Sequence, residues 1–484
     1  MTPPHAHRPP EPSSTLPQVL RRWSWTLSLG LPLLLGACAS VMPAHPDTAL
    51  PTVPAQWSNA PSGAQGSTAP DISVWWTRFG DAQLTALVDQ ALQANTSIKA
   101  AQAAVRQARL GPTVGASGSA QRSQTGNNDA SHLFKAGFDA GWEPDLFGGN
   151  RASASASAAD AQASAASLAD TRVSLAAEVA AGYINLRGLQ GRLAIARSNL
   201  ETQDETLQIT RWRNQAGLAS SLEVEQAVST TEQTRAQIPA LQTSVTQALN
   251  ALAVLTGRAP GPLNAELGPA APVPPPPPAL ALSFPADTLR QRPDVRVAEL
   301  RVQAALARIA VADAARLPSF RLSGSLGLSA LTLGSLTSSA SLVQSLLASV
   351  SATVFDGGAG RAQVRAQQAA MEQTLAAYEG VALAALQEVE DALVAIQGDT
   401  ERLQRLQAAA DAAAQAERLA RQRYTSGLVD FATVLTTQRA LLSTQDSVAG
   451  AQASLSTGHV RLYKALGGGW QPDAESAAST AAQP

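Results

Sequence analysis

The chain has 484 residues, a formal net charge of −2, 4% aromatic residues and 15% charged residues. That balance offers no basic face for nucleic acid, and Cys38, the only cysteine, rules out a disulfide framework. The histidines His5, His7, His45, His132 and His459 lack metal-ligand spacing, and no cofactor is expected.

Arg21 and Arg22 precede the apolar run Trp23–Ala37, which has the length of a signal-peptide core and is too short to span a bilayer. Leu35-Gly36-Ala37-Cys38 resembles the lipobox of bacterial lipoproteins. The resemblance implies that residues 1–37 are a lipoprotein signal peptide and that Cys38 is acylated on its thiol and its new amino terminus. Acyl chains contribute about 0.8 kcal/mol per buried CH₂, so several chains hold a protein to outer-membrane lipid where one binds only marginally. Ala39, in place of an aspartate, implies sorting to the outer membrane. Residues 38–74 read as a lipidated linker. No apolar run after Cys38 approaches the ~18 residues of a transmembrane helix, so insertion is expected through β-strands.

From Trp75 onward the chain repeats itself. Arg211-Trp212-Arg213-Asn214-Gln215-Ala216-Gly217-Leu218 returns as Arg421-Gln422-Arg423-Tyr424-Thr425-Ser426-Gly427-Leu428, and Glu178-Val179 returns as Glu388-Val389. Phe147-Gly148-Gly149-Asn150-Arg151 matches Asp356-Gly357-Gly358-Ala359-Gly360-Arg361, and Ala108–Pro112 resembles Ala315–Pro318. Landmarks in the same order mark a tandem duplication. Repeat 1 covers 75–257 and repeat 2 covers 285–466. The Pro-rich linker 258–284 joins them, its prolines from Pro272 to Pro278 predicting extended polyproline II. Residues 467–484 form a C-terminal tail.

Each repeat predicts a helix, two strands, a very long helix, a tight turn and a return helix. The first helix spans about Asp81–Leu110, with Leu84, Leu87, Val88, Ala91 and Leu92 on one face, and Pro112 stops it. Alternating small polar and apolar residues from Thr113 to Phe147 predict two strands joined by a loop over 121–131, and 320–355 repeats the pattern. Trp142, Phe147 and Phe355 fall where such strands meet the membrane interface. The proline-free stretches Ala152–Gln215 and Arg361–Ser426 predict helices ~95 Å long. A Leu-rich heptad seam is absent, and alanine at many positions suits a multi-helix barrel wall. Gly217 and Gly427 end these helices in the left-handed conformation. The return helices start at the capping-box spacing Ser220–Glu223 and at Asp430, and Pro239 is expected to kink the first of them. Trp142-Glu143-Pro144-Asp145 reads as a strand-to-helix corner, and Gly467-Gly468-Gly469 as a helix stop.

Phe79-Gly80-Asp81-Ala82-Gln83-Leu84, Trp142–Gly148, Arg292-Pro293-Asp294-Val295, Val354–Gly358, Arg423–Gly427 and Leu462–Trp470 resemble the signatures of TolC-type outer-membrane factors, in particular the lipoprotein branch typified by OprM and NodT. The resemblance covers the chain from Trp75 to Trp470. It implies a mainly α protomer with a membrane β-barrel portion: long helices and four strands, trimerising into a shared β-barrel and a periplasmic α-barrel. It also implies a homotrimer in the bacterial outer membrane, anchored by lipid at Cys38, with a large periplasmic portion. The partners would be a periplasmic adaptor (membrane fusion) protein and an inner-membrane RND transporter. The function implied is a passive exit duct for drugs or other small molecules, not an enzyme.

The periplasmic hairpin tips, Gly217-Leu218 and Gly427-Leu428, are the expected docking and gating end. Asp430, Ala432, Thr436 and Arg439 are the candidate aperture. Relatives close this end with apolar and acidic rings, a pattern that Ala432 and Thr436 do not fit. Asp430 reads first as a helix cap, and Arg439 as part of a solvated face, with the lumen or a bonded neighbour as its alternatives. Type I protein secretion and heavy-metal export are alternatives within this fold, and a lipid-anchored periplasmic coiled coil is the alternative outside it.

Overall fold

The computed structural model describes residues 53–60, 71–108, 116–124, 126, 131–277, 282 and 285–470. Cys38, the signal segment, Pro112 and the tail beyond Trp470 lie outside them. After a 3-10 turn at Trp75–Phe79, α1 (Ala82–Ala94) and α2 (Thr96–Ala108) occupy the span that the sequence reads as one helix. The break falls at Asn95, which has extended backbone at ψ 139°. Its side chain donates to the Leu255 carbonyl at 2.8 Å and accepts from Ser97 N at 2.7 Å. The last carbonyls of a helix have no intrahelical partner, and Asn95 supplies one for a helix that sequence periodicity places far away.

The strands β1 (Ala116–Ser123) and β2 (Ser131–Trp142) follow. The loop between them therefore starts later than 121. Next come α3 (Gly149–Gln215), α4 (Ser221–Leu255), the short α5 (Leu263–Leu267), α6 (Pro285–Gln291) and α7 (Pro293–Ala314). The second half closes with β3 (Ser319–Ala330), β4 (Leu342–Ser351), α8 (Ala359–Thr425) and α9 (Phe431–Ala465). α3 and α8 have 67 residues each, and α4 and α9 have 35 each. At 1.5 Å per residue the longer pair reach about 100 Å. α4 continues through Pro239. In α3, Ala152, Ala156, Ala159, Ala163 and Ala166 are buried at alternating four- and three-residue steps. This is a seam of methyl groups that allows helices to approach closely.

Two compact units emerge, and each draws on both repeats. The strand unit takes 113–154 and 306–368 and holds one antiparallel sheet in the order β1-β2-β3-β4. Every register pair joins residues of like parity, even to even as in Phe138↔Leu326 and odd to odd as in Asp139↔Ser325. Side chains alternate along a strand, so one face carries the even residues and the other the odd. The even face presents Phe134, Phe138, Trp142, Phe320, Leu322, Leu326, Leu328, Leu346 and Val350. The odd face is mostly Ser and Gly, with Leu133, Val343 and Leu347 as its large apolar members.

The helical unit takes the described residues within 46–112, 155–305 and 369–484. Trp75 is fully buried there and stacks on Tyr463 at 5.2 Å between ring centroids. The glycines after α9 permit this packing: a Cβ on Gly468 would come within 2.9 Å of Trp75 and 3.0 Å of the Ile72 carbonyl. Gly469 N donates to that carbonyl at 3.0 Å, so the glycine run is a helix stop that also admits an indole. Residues 271–277 are neither helix nor strand. They lie along the bundle, with Val273 against the core and the Pro274 carbonyl accepting from Ser456 Oγ at 2.8 Å.

Candidate functional site

At the hairpin tips the chain reverses within a few residues. Gly217 and Gly427 have φ of +72° and +73°, in the region that glycine enters without steric penalty. Leu218 N donates to Arg213 O at 2.7 Å and Leu428 N to Arg423 O at 2.8 Å, which satisfies helix carbonyls that would otherwise be unpaired. Asn214 Nδ2 closes the first tip on the Ala219 carbonyl at 2.8 Å. The side chains one step beyond the glycines face outward, Leu218 being 69% exposed and Leu428 74% exposed.

The aperture candidates divide. Asp430 is the N-cap of α9: its carboxylate accepts from Thr433 N at 3.0 Å and from the Thr433 hydroxyl. Those two bonds hold its carboxyl below the usual carboxylate range. Ala432 and Thr436 are exposed, and Thr436 Oγ1 donates back to Ala432 O at 2.8 Å. Arg439 is exposed, as a solvated face requires, and it also bonds a neighbour. Its Nη2 donates to Thr230 Oγ1 of α4 at 2.9 Å, joining the two return helices.

The structure adds residues that the motifs did not single out. Tyr424, Phe431, Val434 and Leu435 of the second hairpin form a buried cluster with Leu207 and Ala227 of the first. Arg213 lies over the Tyr424 ring at 4.6 Å and donates to the Tyr424 carbonyl at 3.0 Å. The Tyr424 hydroxyl donates to Glu223 at 3.4 Å, and burial pushes its phenol above the ordinary value, which keeps it a donor. Gln438 Nε2 donates to Thr206 Oγ1 at 2.9 Å. One signal was available: Tyr424 stands where the first repeat has Asn214, a departure inside an otherwise matching motif.

In the strand unit Trp142 ends β2 on the even face, Phe147 is half-buried and Phe355 is exposed. Asp145 accepts from the backbone of Asn150 and Arg151, and Asp356 accepts from Gly358 and Gly360. The Trp142–Asp145 corner is thus a helix-capping turn, repeated in the second half. Among the described residues no helix is long and apolar enough to cross a membrane, and no group of His, Cys, Asp and Glu gathers to hold a metal.

Comparisons with known proteins agree with this geometry. The profile of the family described as outer membrane efflux protein matches residues 87–258 and 284–468. The pyoverdine export outer membrane protein OpmQ of Pseudomonas aeruginosa is 34% identical over 467 residues, spanning 92% of this chain and 97% of its own. OprJ of the same organism is 32% identical over 471 residues, spanning 92% and 95%. The solved structure of the outer-membrane channel OprN superposes with a TM-score of 0.80 at 35% identity, covering 90% of this chain and all of the other. The chain belongs to the outer membrane efflux protein family and is an outer-membrane efflux channel of the kind that serves RND pumps.

Proposed function

We propose that three copies of this chain assemble into one duct, each giving its four strands to a shared β-barrel and its helices to a periplasmic α-barrel. The observation that carries this reading is the sheet itself. Its even face is apolar apart from Arg122 and His132 at the loop end and Gln344, and its outer strands β1 and β4 each pair on one side only. An open edge in lipid leaves backbone N–H and C=O groups without partners, at several kcal/mol each, so only closure makes such a sheet tolerable in a membrane. Four strands are too few to close around a pore, and copies of the same sheet provide the missing edges.

Solutes pass through unchanged, driven by a periplasmic adaptor and an inner-membrane RND transporter. The adaptor docks on the tips, where Leu218 and Leu428 present apolar side chains to solvent. The contacts of Arg213, Tyr424 and Arg439 between hairpins hold the tips together, and opening breaks them. Acyl chains on Cys38 tether the protein in addition to the barrel.

The test is a set of three readings on the purified full chain. An unboiled trimer band that collapses on boiling, discrete conductance in a planar bilayer, and loss of acyl labelling in Cys38→Ala are expected. Monomer on the unboiled gel together with silent bilayers overturns the duct.

A further inference from the structure

The sheet carries its charges unevenly. Lys135, Asp139 and Arg321 all belong to the odd face, opposite Phe134, Phe138, Trp142, Leu322 and Leu326. If the apolar face meets lipid, the odd face lines the water-filled bore; the inference rests on the duct proposed above. Arg122 and His132 are the remaining basic residues of the strands, and they pair with each other on the even face at the loop end of β1 and β2.

The three odd-face charges do not simply cancel. Asp139 pairs with Ser325, and Arg321 lies four residues along β3 from that position. Arg321 leans back over the strand: its Nη2 lies 3.5 Å from where a Cβ of Gly141 would sit, one pleat from Asp139. The missing side chain at Gly141 leaves room for the guanidinium. Asp139 also accepts from Ser117 Oγ at 3.0 Å. Lys135 stands on the other side, four residues along β2 from Asp139, or about 13 Å of strand. That exceeds the Debye length of about 10 Å at 0.1 M salt, and with Lys135 and Arg321 against Asp139 the odd face carries more positive than negative charge. Among the described residues of the odd face, the nearest carboxylate to Lys135 along β2 is Asp139.

We propose that Lys135 sets the selectivity of the duct, making the barrel bore prefer anionic solutes, carboxylate-bearing cargo included. Three copies place a ring of ammonium groups at one level of the barrel, toward the end where the strands turn. A bore with net positive charge concentrates anions and repels cations at a range set by salt. Of the aperture candidates at the far end of the duct, Ala432 and Thr436 carry no charge, Arg439 is a cation, and Asp430, the cap of α9, is the one carboxylate.

The experiment is the reversal potential of the full-length trimer in planar bilayers under a KCl gradient, for wild type, Lys135→Gln, Lys135→Glu and Asp139→Asn. Wild type should favour chloride over potassium by about twofold at 0.1 M, falling toward parity at 1 M where the Debye length is about 3 Å. Lys135→Gln should abolish the preference, Lys135→Glu reverse it, and Asp139→Asn increase it. Potassium preference in wild type, or a reversal potential unmoved by Lys135→Glu in channels that still conduct, overturns the assignment. Should Lys135→Glu fail to give a heat-sensitive trimer, Lys135→Gln and Asp139→Asn decide the matter between them. Silent bilayers from intact wild-type trimer would instead remove the duct reading, and this assignment with it.

Discussion

Arg213 of α3 reaches across to Tyr424 of α8, placing its guanidinium 4.6 Å from the ring centroid and donating to the Tyr424 carbonyl at 3.0 Å. One side chain thus grips both the face and the backbone of the residue that anchors the other hairpin. A cation over a desolvated ring and a charged hydrogen bond each contribute about 1–3 kcal/mol. Arg213→Ala should therefore loosen the closed tips: one or two kcal/mol moves the closed-to-open ratio by roughly 5–30-fold. Single-channel recording should show longer open dwell times, and unchanged dwell times would show that the grip does not hold the tips shut.

Asp430 and Thr436 should separate stability from selectivity. Asp430→Ala removes a cap from α9 and is expected to destabilise the helix while leaving ion preference alone. Because Asp430 has a depressed pKa in the fold, its contribution is fully present above the ordinary carboxylate pKa and is lost as pH falls through the folded value. Thr436→Asp introduces an exposed carboxylate at a candidate ring position and should shift reversal potentials toward cations. A shift caused by Asp430→Ala and none by Thr436→Asp would move the aperture to the cap.

Asp170 of α3 has the opposite pH signature. Burial, then the charge of Asp294, pushes its carboxyl above the usual range, with Lys464 and Arg292 pulling the other way. A raised folded pKa means that the folded state holds this proton more tightly, so stability falls as pH rises from the ordinary carboxylate value through the folded one. Asp170→Asn should unfold at a higher temperature than wild type at pH 7, with the gap narrowing near pH 4. Helical circular dichroism during heating reads this directly, and a lower melting temperature at pH 7 would contradict it.

Arg187 of α3 is 1% exposed, lies 4.9 Å from the centroid of the Tyr183 ring, and donates to Gln190, Gln83 and the carbonyls of Leu267 and Pro269. These acceptors are all neutral, and they tie α3 to α1 and to the segment after α5. Arg187→Met should destabilise the helical unit by roughly 3 kcal/mol by leaving buried acceptors unpaired. Arg187→Lys should not restore it, because an ammonium lacks the planar fork that meets several acceptors at once. Recovery in the lysine variant would show that charge alone matters at this position.

Much of this architecture is local and was legible in residue order. Helix formers without proline, glycine at the reversals, and Ser220 and Asp430 as caps act over a few residues each, and all appear where their patterns place them. The break at Asn95 did not announce itself, because it is caused by a carbonyl 160 residues away. The partner of the exposed Arg439 was hidden for a like reason: Thr230 lies on the other return helix.

The sequence by itself determined the extent of the two long helices and the glycine reversals that end them, since backbone propensity and capping depend only on near neighbours. The tertiary structure alone decided which side chains meet: Arg213 with Tyr424, Trp75 with Tyr463, and the strand register that puts Lys135 on the same face as Arg321. Those pairings join residues distant in the chain, and a shift of register by one residue would turn the charged face toward lipid. Burial of the apolar face and pairing of backbone groups across strands select the register, and neither acts until the strands are side by side.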